Sequence, residues 1–353
     1  MDFKRLWVSD THFHNFTRFA KTLDTGVNNR LQYTIDAMIE AVELAHKKGC
    51  REIVHGGDCF HVRGQISPTV LNPVMDLFSW IINVKGMQVY MIAGNHDLES
   101  KESDELSNTA SALDAVGVQV INEPTVIDDS KLVLIPWSSS LAALNEKLAK
   151  HATDIGADVN KYTAVIHAPL NGVISGIPDH GLEPSDLAKH GYKRIMCGHY
   201  HNHMDFGNVM SIGALTHQTF GDVHSKAGFI LEDDKGDIQH FETSAPKFVD
   251  LAHEDPTTQE EFDECVNGNF VRAKLEDAEQ KDIANLRNDM QAAGALDSLI
   301  TNITTKHSGS TRTGATTSGA SVESSVSSWI KGRGFADYQA EIEKQAIAIL
   351  SEV

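Results

Sequence analysis

Short apolar runs alternate with helical periodicity along the first 240 or so residues. Leu6–Val8 predicts a strand that turns at Ser9-Asp10. Leu31, Ile35, Met38, Ile39, Val42 and Ala45 then recur at helical spacing, and Gly49 suits the stop of that helix. Glu52–His55 predicts a second strand running into Gly56-Gly57-Asp58. Ser67-Pro68 opens another helix, with Ser as cap and Pro at the first helical position, and Val74, Leu77, Phe78 and Ile81 form its buried stripe. Met87–Ala93 is a third strand, followed by Gly94-Asn95-His96-Asp97. Leu132–Ile135, Ala164–Ile166 and Arg194–Cys197 continue the strands, with Leu141–Leu148 a helix. From Val209 the reading changes to consecutive strands at Val209–Ile212, Gly228–Leu231 and Ile238–Phe241. Strand–helix alternation followed by strands predicts an α/β domain with helices outside its sheet.

The character shifts after Ala245. Glu254–Glu264 is acidic, Asn269–Leu275 predicts a strand, and Ile283–Met290 lies on a helix. Residues 304–330 are rich in Ser, Thr and Gly, the composition of a flexible linker. Helical spacing returns through Tyr338, Ile342, Ala346 and Ile349. The expected organisation is therefore a main domain at 1–245, a small α+β region at 246–303, a linker at 304–330 and a terminal helix at 331–353.

Length and charge narrow this picture. A chain of 353 residues exceeds one ordinary domain, which fits a large domain of roughly 200–250 residues plus an addition. No apolar run approaches the ~20 residues that span a bilayer, and the start of the chain leaves no room for a signal peptide core, so the expectation is cytoplasmic with no membrane role. The net charge of −19 argues against a generic basic coat for nucleic acid. It leaves room for a local site, because bound cations reverse the potential inside a cleft. Cys50, Cys59, Cys197 and Cys265 are scattered and read as reduced small hydrophobes.

Five polar blocks fall just after predicted strands: Asp10-Thr11-His12, Gly57-Asp58, Gly94-Asn95-His96-Asp97, His167 and Gly198-His199-Tyr200-His201. Each block alone reads as a turn or a buried imidazole. Together, carboxylate, amide oxygen and imidazole suit a borderline-to-hard divalent ion, and the absence of Cys ligands argues against a structural zinc site. Strand carboxyl ends open onto the usual ligand crevice of an α/β sheet, where separate loops can converge.

The order and spacing of these blocks resemble the calcineurin-like metallophosphoesterases over about residues 5–240. The resemblance implies a two-sheet β-sandwich flanked by helices. It also implies a dinuclear metal site, most readily Mn²⁺, with Mg²⁺, Fe²⁺ or Zn²⁺ as alternatives. One ion would take Asp10, His12 and His201, the other Asn95, His167 and His199, and Asp58 would bridge them. A metal pair neutralises an anionic phosphodiester and generates hydroxide at neutral pH. His96 would sit near the leaving oxygen, stabilising charge or donating a proton. Asp97 either orients His96 or caps a turn.

Gly57-Asp58-Cys59-Phe60-His61, followed by Ser67-Pro68-Thr69, is similar to a segment of the SbcD-type recombination nucleases, a likeness that gives His61 a catalytic or substrate role. The plain alternative for His61 is a helix-facing loop residue. Leu134–Trp137, His180–Pro184 and Ser211–Ala214 resemble the tailed-phage version of that subunit, although the residues alone read Ile135-Pro136-Trp137 first as a strand end with an aromatic plug packing the core, and a plain turn accounts equally for Gly213. The resemblance further implies DNA as substrate, a homodimer, a cap at 246–303, and a terminal helix docking on an SbcC-like ABC-class coiled-coil ATPase. A terminal helix packing on its own domain is the alternative. Two other functions share the fold: a small-molecule phosphodiesterase or phosphatase, and a non-catalytic scaffold, which the intact ligand set disfavours.

Overall fold

The computed structural model describes residues 3–100, 107–176 and 178–303. The expected linker at 304–330 and helix at 331–353 lie outside the described residues. The chain divides into two compact units, the first comprising 1–274 and 279–301. The described part of the second is residues 275–278, 302 and 303, where Ala278 and Asn302 exchange hydrogen bonds of 3.1 and 2.8 Å.

The predicted strands form, some lengthened by one to three residues and others unchanged, trimmed or shifted at their ends. The first sheet takes β1 (Phe3–Val8), β2 (Glu52–His55), β3 (Gln88–Ile92) and β4 (Gln119–Ile121). The second takes β5 (Thr125–Ile127), β6 (Leu132–Ile135), β7 (Thr163–His167), β8 (Arg194–Gly198), β9 (Met204–Asp205) and β10 (Val209–Ser211). Strands β11 (Gly228–Asp233) and β12 (Ile238–Glu242) return to the first sheet, whose order is β12-β11-β1-β2-β3-β4; the second runs β5-β6-β7-β8-β10-β9. Strands β1 to β4 are parallel, as are β6, β7, β8 and β10. Register aligns Val8 with His55 and His55 with Met91, so the loops after β1, β2 and β3 leave one edge together. His167 pairs with Gly198, which does the same for the loops after β7 and β8.

Alternation along the strands builds the layers. Trp7, Val54, Tyr90 and Ile92 of the first sheet meet Leu134, Val165, Met196 and Met210 of the second in one buried layer. The opposite face of the first sheet, with Leu6, Val8 and Ile53, packs on α1 (Asn29–Lys47) and α2 (Pro68–Asn83). Ala164 and Ile166 on the far face of the second pack on α3 (Leu141–Ile155). This is the two-sheet sandwich flanked by helices. Helix α2 starts as expected, with the Ser67 side chain accepting from Thr69 N and Pro68 at the first position. Helix α3 outruns its predicted end at Leu148 by about two turns. All four cysteines are free, and three are buried.

Residues 248–303 add a sheet of β13 (Phe248–Asp250), β14 (Phe270–Glu276) and β15 (Asp297–Ile303). The helices Gln259–Val266 and Gln280–Ala292 cover it, with Val266, Val271, Ala273 and Met290 as a small core. The acidic stretch read from sequence holds most of the first of these helices, which starts at a capping box of Thr258 and Glu261. No helix among the described residues is long and apolar enough to cross a membrane.

Candidate metal centre

The five predicted blocks converge. Asp10 and His12 follow β1, Asp58 follows β2, Asn95 and His96 follow β3, His167 ends β7, and His199 and His201 follow β8. Ligand atoms of Asp10, His12 and His201 lie within 4.8 Å of one another, and so do those of Asp58, His167 and His199. The amide oxygen Oδ1 of Asn95 stands 3.1 Å from His167 Nε2 and 2.9 Å from His199 Nδ1. Asp58 Oδ2 lies 3.7 Å from His12 Nε2 and 3.4 Å from His167 Nε2, one reach toward each group.

Backbone strain marks the same loops. Asp10, His12, Asp58 and His199 all have positive φ, at 49°, 45°, 54° and 112°, in a region that non-glycine residues rarely occupy. Gly57, at φ 100°, makes the approach possible, since a Cβ there would stand 2.5 Å from His167 Nδ1. Gly94 is equally constrained, because a Cβ would strike the Asp58 carboxylate.

The outer hydrogen bonds turn the imidazoles inward. His167 Nδ1 donates to the Gly56 carbonyl at 2.8 Å, which directs Nε2 at the cluster. His201 Nδ1 pairs with Asp222 Oδ1 at 2.7 Å, and Asp222 is itself fixed by the backbone N–H groups of Gln218 and Thr219. A ring nitrogen held by a carbonyl or carboxylate leaves its partner nitrogen free as a ligand. His201 Nε2 then faces His12 Nε2 at 3.3 Å with no acceptor between them, a convergence of lone pairs that a cation fits.

Charge tells the same story. Asp10 and Asp58 are buried at 0% and 2% exposure. Burial pushes the Asp10 carboxyl up to about 6, although His167 opposes it. Burial works against the Asp58 carboxylate too, yet His167 beside it holds its pKa well below the usual range. The His167 imidazole is correspondingly raised to about 9, with burial opposing and Asp58 driving the rise. His12 and His199 are driven down by burial, His199 to about 3, which keeps them neutral, the form in which an imidazole could take a metal. Buried carboxylates need a positive neighbour, and this cluster is built around that need.

Around the ligands stand further groups. The His96 and His61 rings stack at 5.4 Å and 20°, and both lie edge-on to His12. His96 N donates to Asp58 Oδ1 at 2.7 Å, and its Nδ1 donates to the His61 carbonyl at 2.6 Å. The expectation that Asp97 orients His96 gives way here. Asp97 accepts instead from the backbone N–H groups of Cys59, Phe60 and Gly94, so it locks the second and third loops together. The aromatic plug Trp137 stacks on His199 at 5.5 Å and meets His167 edge-on at 5.9 Å, a place on two candidate ligands rather than in the core. Gly213 supports the His201 loop: Ala214 N donates to the His201 carbonyl at 3.0 Å, and a Cβ on Gly213 would stand 2.8 Å from His203 N. Sequence reading missed Asp222. No motif announces it, and only its contact with His201 reveals it.

Comparison with known proteins adds three findings. A family model described as calcineurin-like phosphoesterase matches residues 3–203. Over 212 residues the chain is 29% identical to exonuclease subunit 1 of Enterobacteria phage T4, a match covering 59% of this chain and 60% of the phage protein. Among solved structures, it is similar to a Pseudomonas putida nuclease designated MPE, at 19% identity and a TM-score of 0.27, over 58% of this chain and 66% of that one. Each match spans less than two thirds of the relative's own length.

Proposed function

The chain belongs to the calcineurin-like phosphoesterase family, and from that premise we propose that it is a metal-dependent DNA nuclease that hydrolyses phosphodiesters. One observation carries the reading: seven oxygen and imidazole donors, two of them buried carboxylates, gather from the strand ends of both sheets. Asp10, His12 and His201 would hold one divalent ion and Asn95, His167 and His199 a second, with Asp58 between them. Mn²⁺ suits this mixed set of oxygen and nitrogen donors, and Mg²⁺, Fe²⁺ or Zn²⁺ remain chemically compatible. Such ions supply charge neutralisation for the phosphate and make a hydroxide nucleophile available at neutral pH.

The chain's own groups do the rest. His96, whose Nδ1 proton is committed to the His61 carbonyl, presents Nε2 and as imidazolium gives the Nε2 proton to the leaving oxygen. His61 stacks on His96 and fixes its plane, within reach of the same phosphate. Asp97 is a positioning residue that holds the loops bearing Asp58 and Asn95. Asn95 contributes an oxygen without adding negative charge.

Support for DNA as substrate comes from the phage relative, an exonuclease subunit by name, and that word also supports a partner. The reading extends to residues 1–245 as nuclease domain, 246–303 as cap, 304–330 as linker and 331–353 as a helix docking on an SbcC-like ATPase. It further takes the nuclease as a homodimer working in the cytoplasm. With a net charge of −19, much of the duplex grip would fall to that partner or to the dimer cleft. The test is cleavage of end-labelled duplex and single-stranded DNA with Mn²⁺, Mg²⁺ or EDTA. Metal-dependent cleavage that EDTA abolishes is expected. Inactivity on every DNA, with turnover of a nucleotide ester, would replace this reading with a small-molecule phosphodiesterase.

A further inference from the structure

Beside the cluster, a cavity of about 400 Å³ opens between the loop after β1 and the loop leading into α2. His14, Asn15, Val62 and Ile66 are among its walls, over a floor of Phe13 and Phe60. Its aromatic wall is continuous with the centre. The His14 ring lies 5.1 Å from His61, which lies 5.2 Å from the His12 ring. His14 is also braced from behind: Phe16 meets it edge-on at 5.2 Å, and the Arg30 guanidinium covers Phe16 at 3.8 Å. Val62 is exposed at 39%, an apolar side chain left in solvent at the rim. Asn15 Nδ2 donates to Thr69 Oγ1 at 2.7 Å, while its buried Oδ1 has no hydrogen-bond partner among the described residues.

These features suit a flat, partly polar ligand tethered to a phosphate. We propose that this cavity is a nucleobase subsite: the base next to the scissile phosphodiester stacks on His14, with Val62 and Ile66 opposite. The inference rests on the nuclease reading and deepens it, naming where the nucleotide lies. Two rings, His14 and His61, separate the cavity from the candidate ligand His12, a spacing that one nucleotide bridges from phosphate to base. Every base has a π-face, so stacking here tolerates sequence.

The test is calorimetric titration of the full chain with dAMP and with 2-deoxyribose 5-phosphate, which keeps the phosphate and lacks the base. Stacking on one aromatic ring corresponds to an advantage of at least about fivefold for dAMP. That advantage is expected to vanish in His14→Ala and to return in His14→Phe, which restores a ring. Equal affinity for the two ligands in the unaltered chain, or an undiminished preference in His14→Ala, would overturn the subsite. DNA cleavage is scored separately. Base-dependent dAMP binding in a chain that cleaves no DNA would remove the nuclease reading and keep the subsite.

Discussion

Asp222 shows what a single side chain does for this centre. It touches no phosphate, yet it sets the ring orientation and tautomer of His201 through a 2.7 Å bond. Asp222→Asn is expected to weaken Mn²⁺ binding by about 10–100-fold, because outer partners of metal-binding imidazoles typically contribute that much. A Mn²⁺ titration followed by calorimetry checks it, and unchanged affinity would show His201 to be held by other means. His240 makes a second case. It stacks on His203 at 4.3 Å, its buried Nε2 lacks a hydrogen-bond partner among the described residues, and burial, then His203, lowers its pKa to about 4. The unfolded chain therefore binds this proton first as pH falls. Stability from the neutral ring is complete above about pH 6.5 and drains toward pH 4. His240→Phe should flatten that part of the acid decline, measured as the drop in Tm between pH 7 and pH 5. At this scale the sequence was legible where a residue belonged to a block, as with Asp10, Asp58 or His199. Asp222 and Trp137 act through space, from loops whose position only the finished fold defines.

Elements were easier to read than single outer residues. Local periodicity announced β1, β2, β3 and β6 and both large helices on the first sheet, because each buries an apolar face of adequate length. The short strands β4, β5 and β13, three residues each, escaped notice since pairing with a neighbour creates them, and three residues establish no period. The glycine turn after β2 belongs to this scale. Gly57→Ala forces a Cβ against His167 at a positive φ, so the loop or the imidazole must move. The expected result is loss of metal-dependent hydrolysis with a destabilisation of about 1–3 kcal/mol. Thermal melting and Mn²⁺ stoichiometry on the same variant check both parts; a variant that binds metal normally would contradict the packing described here.

For the whole molecule, the question is what holds two sheets in one relation. Their shared apolar layer does most of it, and Arg5 adds a polar tie at the end away from the cluster. Buried at 2% exposure, Arg5 reaches Glu52 and Glu232 within the first sheet and, at 2.7 Å, the Ser130 carbonyl just before β6 of the second. Without Arg5, Glu232 keeps Lys193 and Trp7 Nε1 and Glu52 keeps Ser130 Oγ, so Arg5→Ala should cost about 1.5–3 kcal/mol, the value of a lost bond between charged groups, read from urea unfolding. A shift under about 1 kcal/mol would mean that the carboxylates find water or protons instead. No sequence pattern announced this tie, because its partners lie 47, 125 and 227 residues away.

The strands that deliver the candidate ligands carry one more consequence. Neither proposed ion would be held by a single sheet: Asp10 and His12 come from one and His201 from the other, and Asn95 faces His167 and His199 in the same way. An ion bound there would act as a rivet through both plates of the sandwich. Chelation should then do more than silence chemistry. The melting temperature should fall when EDTA is added and climb with Mn²⁺ concentration, by about 2.7 kcal/mol of stability at a hundredfold excess over Kd. A melting curve indifferent to metal would mean that the plates stay clamped without their rivets.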